Sequence, residues 1–318
     1  MTPDVTPALD LRLRWWADGA MQRKPHIDLA GAVALTTFAI VLGFNQVVIK
    51  VSNGGFSPVF MAGLRSALAF LVMLAWMRYR GVPHGIRRDL LGPGLLLGVL
   101  FTFEFVCLYL ALDLTTVSRA SIVFYSMPVW LTLVAHFVLP GERMGPLRAL
   151  GLLLAMAGVV WVLAKPHAGE DTSLLGDFLA LGAALGWGGI ALVLRLNRVS
   201  SEPPEVQLLW QLGVSMLLLF AVAPLFGPLT RELAPIHWAG LVFQVFAVAS
   251  FGYLIWFMLL KVYPASGVAS FSFLSPVCGV GLGWLLLGEQ IGVEIIGGLC
   301  LVAVGLFLIN RKPTAAKH

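Results

Sequence analysis

Charge is what this chain has least of. Only 12% of its 318 residues are Asp, Glu, Lys or Arg, against about 25% in soluble domains, while 59% are hydrophobic. No polar stretch is long enough to fold as a separate soluble domain. Cysteine is scarce as well: Cys107, Cys278 and Cys300 all fall inside apolar runs, without disulfide or metal-ligand spacing. There is no Gly-rich phosphate loop, so ATP is not a direct energy source. There is no H-E-x-x-H, no Ser–His pair at a shared depth, and Asp113 and Asp177 fall at the ends of apolar runs. An intramembrane protease or metal hydrolase therefore has no catalytic set here, and no cofactor or metal is expected. The N-terminus lacks the short apolar core and small-residue cleavage site of a signal peptide, so the first apolar run should stay as an anchor.

What is present is a series of apolar runs of eighteen or more residues, each able to cross a hydrocarbon core of about 30 Å. Ten spans are expected near 28–49, 57–77, 90–112, 115–138, 145–164, 174–195, 205–226, 237–260, 265–287 and 291–310. Loop chemistry separates them, as in "SNGG", "KPHAGEDTS" and "NRVSSEPPE". With the N-terminus inside, 16 Lys and Arg fall on the cytoplasmic side and 4 on the outer side, with Arg65 inside a span. This positive-inside bias places both termini in the cytoplasm and accounts for the net charge of +5 without nucleic acid. The partners expected are a lipid bilayer and a small-molecule solute, with the chain a monomer or weak homodimer. The basic N-terminal "LRLRWWADGAMQRK" suits a segment lying on an anionic membrane surface or a disordered tail.

The chain also repeats itself. "ASIVFYSMPVWLTLVAHFVLPGERMG" (120–145) parallels "VASFSFLSPVCGVGLGWLLLGEQIG" (268–292). Ser118 matches Ser266, Pro128 matches Pro276, and one inserted residue later Glu142 matches Glu289. Five spans per copy is an odd number, so the second copy must enter the membrane inverted. The fold expected is an all-α membrane protein of ten transmembrane helices in two inverted five-helix repeats. Its units are a cytoplasmic segment (1–27), repeats at 28–164 and 174–310, and a cytoplasmic tail (311–318). Inverted repeats with a site at the midplane are an architecture of secondary transporters.

Two five-span copies, each with "P…GE" before its last span, together with the early "GFNQVVIK…SP…R", resemble the drug/metabolite transporter superfamily and its EamA-type exporters. The residues that carry this are Gly43, Asn45, Lys50, Pro58 and Arg65 in the first copy. Leu42 stands where the family often has tryptophan, and Gln290 where the first repeat has Arg143. The resemblance implies a cavity lined by spans one to four and six to nine, with five and ten at the periphery. It also implies export of a small organic solute across a bacterial inner membrane.

Within that frame, Glu104 in "GVLFTFEFVCLYLAL" (98–112) is a carboxylate at lipid depth, and Arg65 is a cation at the same depth. Both lie about 12 Å inside the outer boundary, at 1.5 Å per residue, so the two can meet. They either tie the structure together or border the solute cavity. Ser118, Ser121, Tyr125, Pro128, Thr132 and His136 share one face of span four if that helix is continuous. Hydroxyls on such a face either line water or satisfy carbonyls freed by the proline. In span eight, Gln244 is joined by a face of Ser250, Tyr253 and Trp256. The solute-binding or coupling candidates are thus Glu104, Arg65, Asn45, Tyr125, Ser121, Trp187, Gln244, Tyr253 and Trp256. The gating or structural candidates are Pro128, Pro276, Lys50 and Ser266. Scarce basic groups in the spans argue against phosphorylated solutes, and one carboxylate argues against polycationic drugs. Amino acids and similar amphipathic metabolites fit best, with drug or toxin efflux as the alternative.

Overall fold

The apolar runs all become helices, because a helix satisfies its own backbone polar groups where no water can. The computed structural model describes residues 24, 26–82, 88–139, 144–164, 173–263, 268, 271 and 273–310. The N-terminal "LRLRWWADGAMQR", Glu142, Ser266 and the C-terminal tail lie outside the described residues. Among the described residues, nine helices are long and apolar enough to cross a membrane, and a tenth apolar helix is shorter.

Spans one to three are Leu29–Ser52, Pro58–Arg80 and Leu91–Leu114. Span four is broken into Val117–Phe124 and Met127–Val138; span five is Pro146–Ala164. The second half runs Leu174–Leu196, Pro204–Val222, then Pro235–Val262, Leu274–Leu287 and Val293–Asn310. Pro58, Pro204 and Pro235 open their helices, where the missing N–H has no intrahelical acceptor to lose. Span eight changes winding midway. Pro235–Phe243 is α-helical, Gln244–Ser250 is π-helical, and Phe251–Val262 is α-helical again.

The packing carries the signature of inversion. Span one packs on eight and nine, and span six packs on three and four: the same contacts with the repeats exchanged. Span two against eight is likewise mirrored by seven against three, while two–seven, four–nine and five–ten pair each element with its own counterpart. The direction is inverted too. Span one begins at the end of the bundle that holds Asp28 and Tyr263 (the near end), whereas span six begins at the opposite, far end, beside Thr115.

Glycines mark the close crossings. Gly151 and Gly158 of span five face the carbonyls of Gly305 and Gly298 on span ten. Gly94 and Gly98 of span three admit Trp210 and Val214 of span seven, and Gly182 and Gly186 of span six seat Cys107, Phe103 and Glu104. The small-x-x-x-small spacings of spans three and six are packing surfaces, as their spacing suggests. Spans five and ten form the peripheral pair.

Candidate functional site

At the far end, second-repeat residues bond into the first repeat in several places. Gly288, at φ 69°, turns the chain after span nine so that Glu289 reaches the start of span four. Its carboxylate accepts from the Val117 and Ser118 amides at 2.6 and 2.9 Å and from Ser118 Oγ at 2.6 Å. That satisfies orphan donors of a helix N-terminus with a negative charge, where the helix dipole favours one. Beside it, Arg119 and Asp177 form an ion pair with each side chain 1% exposed. Arg119 Nε lies 3.1 Å from both carboxylate oxygens, and Nη2 also donates to Val162 O at 2.7 Å. Thr115 Oγ1 donates to Asp177 Oδ1 at 2.9 Å, so the cluster joins spans three to six. In the loop before span eight, Arg231 donates to both oxygens of Asp113 and to Asn53 O, each at 2.8 Å. Lys50 Nζ donates to Leu112 O and Thr115 O, the free carbonyls where span three ends.

The near end has one described latch. Asp28 caps span one through the Gly31 amide at 2.9 Å, accepts from Tyr263 Oη at 2.7 Å, and pairs with Lys24. The Lys24 and Tyr263 hydrogen bonds, then the Gly31 amide, hold the Asp28 carboxyl well below the usual carboxylate range. The Asp28 charge therefore persists at neutral pH and is lost only as pH falls through that depressed value.

Between the two ends, about two helical turns inside the far end, lies a layer of buried polar side chains. Arg65 is 1% exposed and Glu104 is 3% exposed. The two share a depth but form no ion pair among the described residues, contrary to the expected contact. Arg65 instead places its guanidinium 4.2 Å from the ring centroid of Phe105, the residue after Glu104, in a cation–π contact. Equal depth fixes height along the bundle, not direction around a helix, and Glu104 is turned with its Cα and Cβ against Gly186. Arg65 Nε and Nη1 and Glu104 Oε2 are buried without a hydrogen-bond partner among the described residues. The Arg65 charge also lies within electrostatic range of Glu104, Tyr109 and Tyr253.

Of the other candidates, some have partners of their own. Asn45 Oδ1, Gln46 Oε1, Ser121 Oγ and Ser250 Oγ are likewise buried and unpartnered among the described residues. Gln46 Nε2 donates to Tyr125 Oη at 3.2 Å, and that hydroxyl donates to Leu42 O at 2.9 Å. Gln244 is engaged at both ends, accepting from Tyr109 Oη and donating to Ser52 Oγ at 3.4 Å. Trp187 stacks on Phe124 at 5.1 Å and meets Tyr125 edge-on, while Trp256 stacks on Phe38 at 5.2 Å.

Span four is not the single polar-faced helix expected. It breaks at Tyr125–Ser126, so the face is split between two segments and the hydroxyls go to separate tasks. Ser118 holds Glu289, Thr132 Oγ1 donates to the Pro128 carbonyl at 2.7 Å, and Ser121 packs beside Gly279. Pro128 opens the second segment, and Pro276 sits equivalently in the first turn of Leu274–Leu287. Discontinuous helices at the midplane are a feature of transporter sites. His136 Nδ1 accepts from the Met144 amide at 3.1 Å.

Sequence reasoning missed Tyr109, Gln46 and the Arg119–Asp177 pair. Gln46 had a usable signal, standing next to Asn45, and Tyr109 is a polar-tipped ring in the same polar-poor span as Glu104. Arg119 and Asp177 gave none, because charges at span ends ordinarily face water.

A midplane polar layer inside an inverted bundle is a transporter's arrangement, and similarity to other proteins agrees. The EamA-like transporter family profile matches residues 29–164 and again 174–311. The chain is 28% identical over 288 residues to a protein of Escherichia coli strain K12 named "Probable amino-acid metabolite efflux pump", covering 87% of this chain and 93% of that one. It is 25% identical to "Uncharacterized transporter YoaV" of Bacillus subtilis strain 168, covering 88% and 95%. A solved crystal structure shares the fold with a TM-score of 0.63 at 23% identity, covering 87% of this chain and 96% of that chain. With both halves matched separately by one family, this chain belongs to the EamA-like transporters of the drug/metabolite transporter superfamily.

Proposed function

We propose that this transporter exports small zwitterionic solutes, amino acids or similar amphipathic metabolites, across a bacterial inner membrane by alternating access. The observation that carries the reading is the pair of opposite charges buried at one depth, with Arg65 Nε, Arg65 Nη1 and Glu104 Oε2 all without a hydrogen-bond partner among the described residues. A charge near the bilayer centre costs at least about 2.5–3.5 kcal/mol, so it needs a partner. A solute carrying both a carboxylate and an ammonium supplies one to each. The carboxylate meets Arg65, the ammonium meets Glu104, and the Phe105, Tyr109 and Tyr253 rings offer an apolar surface for the rest. The name of the Escherichia coli relative points to the same substrate class.

Flux of a labelled amino acid into proteoliposomes, in competition with its methyl ester and its N-acetyl derivative, tests this. The free amino acid should compete at least about tenfold better than either blocked form, equivalent to about 1.4 kcal/mol. Equal competition by all three would remove the two-point reading.

The charge bias of 16 to 4 puts the near end in the cytoplasm. A reporter active only in the cytoplasm should work when fused after Lys312 and stay silent when inserted at Gly169. The opposite pattern would reverse the direction assigned to transport.

A further inference from the structure

The repeat-related interfaces three–six and one–eight are packed differently. Spans three and six interlock through Gly182 and Gly186. Their counterparts, spans one and eight, border a partly open apolar cavity of about 370 Å³ between Phe44, Val47, Val48 and Val51 on one side and Ile236 and Phe243 on the other. The far-end segment of span eight that borders this space, Pro235–Phe243, ends where the π-segment begins.

That π-segment is held open by a glycine. The Phe251 amide bonds back five residues to Phe246 O rather than four. A Cβ at Gly252 would stand 2.7 Å from Ala247 O, a backbone atom that cannot move aside cheaply. No proline lies within span eight after Pro235, so the π-winding is the one device that alters this helix. Rewinding it to α would turn the segment ahead of it by about 100° about its axis, one residue's worth of helix. That turn takes Gln244 off Tyr109 and Ser52, the contacts that hold the segment over the midplane layer. The neighbouring cavity has room for side chains carried round with it.

We propose that Pro235–Phe243 is a gate over the far side of the solute site, opening by rotation when the π-segment at 244–250 rewinds and Gln244 leaves Tyr109. The proposal rests on the alternating-access reading and adds to it a local moving part that whole-repeat rocking does not require.

Two measurements test it. The first needs no solute. In protein with its three cysteines replaced, Asn45→Cys serves as a midplane reporter for a membrane-impermeant maleimide added from the far side. Gly252→Ala strains the π-winding, so it should raise the labelling rate several-fold. An unchanged rate would overturn the hinge. The second uses a cross-link. Cβ atoms at Ser52 and Gly240 would be 3.7 Å apart, within the range a disulfide spans. Oxidised Ser52→Cys/Gly240→Cys protein should lose at least nine-tenths of the flux of its reduced form and regain it with dithiothreitol. Val162→Cys/Gly298→Cys, with the same 3.7 Å spacing but in the peripheral five–ten pair, should cross-link without loss. Full flux through the cross-linked Ser52–Gly240 form would overturn the gate while leaving transport intact. Absence of flux in the reduced form would count against the transport reading alone, and the labelling rates would still decide the gate.

Discussion

Replacing Asp177 by alanine is expected to cost about 3–5 kcal/mol of stability. Asp177 and Arg119 are each 1% exposed, and the carboxylate accepts from Arg119 Nε and from Thr115 Oγ1. Without it, Arg119 keeps its charge in a dry site and loses the carboxylate that faces it, while keeping its bond to the Val162 carbonyl. The penalty is that of a buried pair broken on one side, which exceeds the net worth of the pair itself. Arg119→Ala should cost a similar amount for the reciprocal reason. Arg119→Met combined with Asp177→Leu removes both charges together and should recover most of the loss. Unfolding midpoints in a mild detergent decide it. Single variants within about 1 kcal/mol of the parent would mean that the pair is not what secures the far end.

The sequence made this bundle legible where the signal was local or periodic. Ten apolar runs, the spacing of Gly182 and Gly186, and the offset relating Pro128 to Pro276 each survive as structure. What it could not convey was direction around a helix axis. Arg65 and Glu104 stand at equal offsets from their span ends, yet Arg65 turns to Phe105. Glu289 stood out as half of a repeated motif, but its target, the start of span four, lies over 170 residues away in sequence. The π-segment at 244–250 has no residue signature at all, since the same seven residues could wind as α-helix. Its clue is Gly252, whose significance needs the position of the Ala247 carbonyl.

Neutralising Glu104 or Arg65 should have the opposite profile to Asp177→Ala: sharply reduced transport with stability retained. All four side chains are buried charges, but only Arg119 and Asp177 satisfy one another. Glu104→Gln removes a charge that no cation among the described residues holds by a hydrogen bond, so the folded state is relieved of a desolvation cost of at least about 2.5–3.5 kcal/mol. The same holds for Arg65→Gln, apart from the stacking on Phe105, worth about 0.5–2 kcal/mol. Each variant should therefore melt no lower than about 1 kcal/mol below the parent while losing at least about tenfold in flux, or 1.4 kcal/mol of solute stabilisation. Their selectivities should also separate. Arg65→Gln should lose its preference for the free amino acid over the methyl ester, and Glu104→Gln its preference over the N-acetyl form. Exchanging the two charges, Glu104→Arg with Arg65→Glu, should preserve folding but not flux, because the Phe105 stacking and the Gly186 crossing fix where each charge must stand. Undiminished flux in both single variants would move the solute site elsewhere in the midplane layer. A stability loss as large as that of Asp177→Ala would make these charges structural ties.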